Sequence, residues 1–317
     1  MHSRMARDIV HKLTKFLYII KSHMHKSQIL VGVKMKRISQ PEDRNLVLFY
    51  IVTIAFTWFF WISEVLAMRG QLGSSIFTDF LLSPNNPAAW GPLIGAVVLT
   101  YWNARKEGVI KLLKRGVNYR FPKVWWIPTI LFWPAIMGGG LLVALLAGEQ
   151  IPTLFWVANP LLIVSSFVLI LLFQGPLQEE FGWRGYALDR LQARFNALIS
   201  SIILGLMWVI WHLPYMFWLS DEVIYAIFWG FLLSNILITI VFTWLYNNTG
   251  GSVLVTLINH AMFILAVIMF PALETATGSL FYLIVLIASI IAIVLFWGPK
   301  QLIREAKEQE LSNKVKN

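Results

Sequence analysis

Cysteine is absent from the 317 residues. That excludes disulfides, thiolate nucleophiles and Cys-ligated metals, and it leaves no clue to the redox compartment. Charge is also scarce. Asp, Glu, Lys and Arg make up 13% of the chain, against about 25% in soluble domains. Hydrophobic residues make up 58%, and the mean hydropathy is +0.68. This balance excludes a disordered chain, a fibrous repeat and an ordinary water-soluble enzyme. The apolar surplus requires lipid as a second solvent. Residues 1–44 also lack the long early apolar core and small-residue cleavage site of a signal peptide.

What is present is a series of apolar runs. Eight are read as spans: Leu46–Met68, Ala88–Trp102, Trp125–Leu146, Leu161–Leu177, Ala197–Trp218, Tyr225–Tyr246, Gly251–Phe270 and Leu280–Trp297. A helix crossing takes about 20 residues, so the second and fourth are short. Gly175-Pro176 predicts a kink or stop near the end of the fourth. The expected fold is all-α, a polytopic membrane protein of about eight transmembrane helices.

The net charge of +10 acquires meaning from its location. Of the 26 Lys and Arg, ten lie in residues 1–45, seven in 103–124, three in 178–196 and five in 298–317. Eight alternating spans put all of these on one side and leave Arg69 by itself on the other. Basic residues stay inside, so both termini are expected in the cytoplasm. The positive charge serves topology and anionic headgroups, and nucleic acid is not an expected partner. Three parts follow: a basic N-terminal segment, 1–44, mobile or on the membrane surface; a transmembrane domain, 45–298; and a charged cytoplasmic tail, 299–317. Ile9–Ile20 is weakly amphipathic, and translation could start at Met1 or Met35. The protein is expected in a membrane, the cell membrane if it is bacterial.

Ionisable groups inside membrane helices are costly and usually functional. Only His212 and His260, of six histidines, fall inside spans, and no Asp does. Glu179 and Glu180 stand at the end of the fourth span. In a helix, Glu180 and Arg184 are one turn apart and can form an ion pair, while Glu179 points about 100° away and is left available as a base. Trp208 shares a face with His212, as Thr256 does with His260. Converging, these groups suffice for peptide hydrolysis: a carboxylate deprotonates water, one histidine orients it or protonates the leaving amine, and another stabilises the oxyanion.

The stretch EEFGWRGY (Glu179, Glu180, Arg184), then Trp208 with His212, then His260, resembles the CPBP family. That family holds the type II CAAX prenyl proteases and the bacterial Abi and bacteriocin-immunity relatives. The similarity covers residues 161–270. The resemblance implies an intramembrane endopeptidase in which Glu179 and His212 activate water and His260 helps form the oxyanion site. Glu180 and Arg184 would support the site, with Trp208 beside it. Where the family's third motif often has Asn, four residues after the histidine, this chain has Ile264. Thr256, Asn259 and Asn235 are the candidate substitutes. The expected partners are the lipid bilayer and a peptide or protein substrate, membrane-associated or prenylated. No cofactor is expected. Zinc remains chemically reasonable, and Glu179, His212 and His260 would be its ligands.

Other designs fit less well. A His-Glu-x-x-His zinc motif, a pair of membrane aspartates and a Gly-x-Ser-Gly motif are all missing. The alternative from another class is a noncatalytic membrane immunity or binding protein that retains the fold, a reading motivated by Ile264. A transporter is third, with no visible internal repeat in its favour.

Overall fold

The computed structural model describes residues 41–216 and 221–303. Most of the basic segment 1–44, both candidate start sites, the end of the fifth expected span and the tail from 304 lie outside the described residues. Every regular element among the described residues is helical. The chain is an integral, multi-pass membrane protein.

The helices are α1 (Pro41–Met68), α2 (Gly91–Lys114), α3 (Trp126–Leu146), α4 (Leu162–Phe173), α5 (Pro176–Gly182), α6 (Ala197–Met216), α7 (Asp221–Asn248), α8 (Val253–Met269) and α9 (Ala276–Trp297). Beyond α5 the chain continues through a π-helical stretch, Trp183–Leu188, into Asp189–Gln192. Five described segments are long and apolar enough to cross a bilayer: Asn45–Met68, Lys123–Leu146, Ala197–Met216, Ile227–Asn248 and Ala276–Trp297. A sixth arises if Leu162–Phe173 and Pro176–Gln192, bent by 43°, form one broken span.

Two of the expected spans fall outside this set for local reasons. The apolar part of α2 ends near Trp102, and the helix continues as a charged stretch past a break at Arg105, whose φ is 52°. Helix α8 is apolar but has only 17 residues.

Polar groups within the bundle are satisfied at short range, as a lipid surrounding demands. Along α7, Thr239 donates to the Asn235 carbonyl at 2.7 Å and Thr243 to that of Thr239 at 2.9 Å. Helices α6 and α7 are half buried, whereas α1 and α9 turn most of their surface outward. That surface is apolar, with Ile51, Phe59, Ile284 and Leu295 among its exposed side chains.

Hydrogen bonds between loops define two ends of the bundle. At one end, Arg115 donates to the carbonyls of Gly185 and Gly251 and pairs with Asp189 at 2.8 Å. Ser252 donates to Asn118 O, Ala197 N to Lys300 O, and Asn248 to Leu302 O. At the other end, Glu149 accepts from the backbone N–H groups of Ala276 and Thr277, and Trp156 donates to Met269 O.

The break between α4 and α5 sets the position of the site. Gly175 adopts φ 114°, a left-handed conformation that favours glycine. Pro176 then opens α5 at a position where its missing N–H costs nothing. Gln178 closes the gap: its Oε1 accepts from Gly175 N at 2.6 Å and its Nε2 donates to Phe173 O at 3.1 Å. Helix α5 presses on the start of α2 so closely that a Cβ on Gly182 would lie 2.5 Å from Pro92.

Candidate active site

The stretch Gln178–Leu188 is buried throughout. Arg184 Nη1 donates to Glu180 Oε1 at 2.8 Å, and both side chains are inaccessible. The same Glu180 Oε1 stands 2.9 Å from His260 Nδ1. Glu180 thus joins Arg184 on its own helix to His260 on α8. The Arg184 guanidinium lies over the rings of Phe242, 4.5 Å away, and Trp208, 5.1 Å away, so cation–π attraction adds to the ion pair.

Glu179 is held differently. Its Oε2 accepts from Trp208 Nε1 at 2.6 Å and from Trp183 Nε1 at 3.3 Å. Its Oε1 faces Gly175: a Cβ there would lie 2.7 Å from Glu179 Oε1 and 3.7 Å from His260 Cε1. The carboxylate and the His260 ring are therefore neighbours across a position that carries no side chain.

His212 Nδ1 lies 2.8 Å from the Trp208 carbonyl. A carbonyl only accepts, so Nδ1 carries the hydrogen and the neutral ring presents its lone pair at Nε2. A carboxylate likewise fixes Nδ1–H on His260. The indole of Trp208 stands between the two imidazoles, 5.6 Å from His212 and 5.5 Å from His260, centre to centre. Trp61 and Trp211 also pack near His212, 6.0 and 4.5 Å away centre to centre. Trp211 ties α6 to α1 by donating to Thr57 Oγ1 at 2.8 Å.

Glu179, Trp208, His212 and His260 all line one cavity of ≈ 720 Å³, together with Asn235 and Ile264. The break at Gly175 makes this possible, because α5 restarts there and brings Glu179 one turn into a new helix. Of the candidate oxyanion helpers, only Asn235 reaches the cavity, and its Nδ2 also donates to Phe231 O at 2.8 Å. Asn259 is committed elsewhere: it accepts from Trp133 Nε1 and donates to Thr129 O, both at 2.9 Å, and so clasps α8 to α3. Thr256 is fully buried and donates back to Val253 O at 3.0 Å.

Among the described residues, no three His, Asp or Glu side chains are gathered closely enough to hold one metal ion. Glu179, His212 and His260 do not form such a group in this geometry.

Sequence reasoning missed Trp183 and Gln178. Trp183 stands four residues after Glu179, the spacing that pairs Glu180 with Arg184, so its signal was present. Gln178 is polar beside a helix break, a weaker signal. Ser234 and Tyr282, both lining the cavity, had none.

Residues 160–266 match the family model described as type II CAAX prenyl endopeptidase Rce1-like. A protein of Methanococcus maripaludis named CAAX prenyl protease 2 is 27% identical over 226 residues, which span 68% of this chain and 81% of that protein. The matched segment contains Glu179, Glu180, Arg184, Trp208, His212 and His260. The resemblance to CPBP proteases read from the motifs is borne out.

Proposed function

We propose that the chain is an intramembrane endopeptidase that hydrolyses a peptide bond with a water activated by Glu179. The observation that carries this reading is the hold on Glu179. Two indole N–H groups occupy one carboxylate oxygen, and the other is left beside the His260 ring at the cavity wall.

The chemistry runs through side chains at that wall. Glu179 takes a proton from water while the Nε2 lone pair of His212 accepts a hydrogen bond from the water's other O–H, which stays on the oxygen. The hydroxide attacks the scissile carbonyl. Glu179 then passes its proton to the departing amine, which leaves two peptide ends. With Nδ1–H committed to Glu180, His260 can donate to an oxyanion through Nε2 only as the imidazolium. Asn235 offers a neutral donor in the same cavity. Glu180 and Arg184 position His260 and Trp208 and do not touch substrate.

The name of the Methanococcus protein points to prenylated peptides. The apolar walls of the cavity suit a lipid chain as well as apolar side chains. The noncatalytic reading draws on Ile264, which leaves the usual donor position apolar. Replacing Glu179 with Gln separates the two. It preserves shape and hydrogen bonding but removes the base. Loss of new peptide ends in membranes, with the folded protein retained, supports the protease. Full retention of function in that variant supports a binding module. Activity that survives strong chelators counts against zinc, whereas loss reversed by added zinc assigns a metal.

A further inference from the structure

We infer that a concave stripe on the outer side of α2 binds one anionic phospholipid, its headgroup phosphate on Arg105 and Lys106 and an acyl chain on the apolar side chains beside them. Such a site does not depend on the endopeptidase reading.

Helix α2 changes character part-way along. Val97, Val98, Tyr101 and Trp102 belong to its apolar part, and Asn103, Arg105, Lys106 and Glu107 begin its charged part. Every residue from Tyr101 to Glu107 is exposed, so this stretch stands proud of the bundle. Trp102 is 75% exposed. Exposed Trp and Tyr next to Lys and Arg mark a membrane–water boundary. The helix runs here toward the end of the bundle where Arg115 pairs with Asp189.

The stripe is concave because the helix is broken. Arg105 has φ 52° and ψ −157°, a conformation that residues with a Cβ rarely adopt. A Cβ on Gly108 would lie 2.5 Å from that of Ala104 and 3.1 Å from Thr100 Cγ2. The two arms thus approach each other where a side chain is missing. The stripe encloses a cavity of ≈ 430 Å³, walled by Val97 and Val98 before the break and by Val109 and Ile110 after it, with Arg105 and Lys106 between.

The lining selects the occupant. Among the described residues, no carboxylate pairs with Arg105 or Lys106, and the Arg105 guanidinium lies 6.0 Å from the centre of the Tyr101 ring. Glu107 does not line the cavity. Two cations beside an apolar wall match the two halves of an anionic phospholipid, and each adds to its attraction at a membrane surface. A free phosphate would leave the apolar wall bare, and a zwitterionic headgroup brings a cation of its own. The arm past the break also packs on the site-bearing stretch, since Leu112 Cδ1 would lie 2.9 Å from a Cβ on Gly185. A lipid bracing that arm should raise the melting temperature.

The full chain in a neutral detergent is titrated with phosphatidylglycerol or with phosphatidylcholine of the same acyl chains. Bound lipids are counted by native mass spectrometry, and melting curves are recorded alongside. One phosphatidylglycerol is expected to bind more tightly than the rest and to raise the melting temperature. Arg105→Gln with Lys106→Gln should weaken that binding about 30-fold, whereas Arg120→Gln with Lys123→Gln should not. Arg105→Gly with Lys106→Gln guards against misfolding, because glycine accepts the backbone of the break; this variant should fold like the parent and lose the lipid all the same. Equal weakening by the 105/106 and 120/123 pairs would reduce the site to diffuse charge and overturn the inference. Equal affinity for phosphatidylcholine would overturn it too, as would displacement of the lipid by glycerol phosphate as readily as by phosphatidylglycerol, since a soluble phosphate would then be the ligand.

Discussion

Trp208 donates its indole hydrogen to Glu179 at 2.6 Å, and its own backbone carbonyl lies 2.8 Å from His212 Nδ1. One residue therefore positions both the base and the imidazole proposed to share the attacking water. Its ring also separates His212 from His260 and sits beneath Arg184. The aromatic position before the histidine acts through a side-chain donor as well as through bulk.

Trp208→Phe separates these roles, because Phe keeps a ring and the backbone carbonyl but loses the N–H. A hydrogen bond to a charged group contributes about 1.5–3 kcal/mol, so kcat should fall about 10–100-fold. KM and thermal stability should change little. Steady-state cleavage of a peptide substrate in detergent, with a melting curve alongside, measures both. An unchanged kcat would remove Trp208 from the positioning of Glu179.

Glu180 should behave unlike Glu179. Removing it leaves Arg184 charged and buried, and breaking such a pair costs about 3–5 kcal/mol. Glu180→Leu should therefore lower the melting temperature and the amount of folded protein. Adding Arg184→Met removes the stranded charge and should restore much of the stability. Activity should stay low, because His260 still lacks its partner at Nδ1. Recovery of full activity in the double variant would confine Glu180 to a structural role.

The visibility of these features in the sequence followed their chain separation. Glu180 with Arg184 is a one-turn pair, and helical spacing makes it legible. Gly175-Pro176 announced the break between α4 and α5. The pairing of Glu180 with His260 spans 80 residues and depends on how α8 packs against α5, which no local pattern encodes. The commitment of Asn259 to Trp133 on α3 was hidden for the same reason. Composition made the lipid environment legible, and five or six of the described segments meet the length and apolarity of a crossing. Hydropathy does not reveal that the apolar part of α2 runs into a charged helix, or that α8 is short.

Ile264 provides a test in the direction of gain. It lines the cavity one turn beyond His260, so Ile264→Asn puts an amide donor where a developing oxyanion can be reached. One such donor is worth about 10²–10³ in kcat where it is well placed. A rise of about tenfold is expected here, since Asn235 already offers a donor. Asn235→Leu should lower kcat, and Ile264→Asn should restore part of that loss. If neither substitution changes kcat in the folded protein, the oxyanion must be met from elsewhere.

Glu149 gives the fold a pH dependence that can be signed. It lies in the loop after α3 and accepts from the Thr277 hydroxyl and from the N–H groups of Thr277 and Ala276 at the start of α9. These bonds, led by that from the Thr277 hydroxyl, hold its carboxyl below the usual range. A carboxyl depressed in the folded state adds stability that is present above its unfolded pKa, about 4.3. That stability is lost as pH falls through the lower folded value. Glu149→Ala should therefore melt at a lower temperature than the parent at pH 7, by a margin that shrinks as the pH falls below about 4. The helix N-terminus adds to the effect, because its dipole favours an anion there. Melting curves of both proteins from pH 7 down to the acid limit of the detergent micelle measure the margin. A constant difference across that range would mean that Glu149 supports α9 through shape alone.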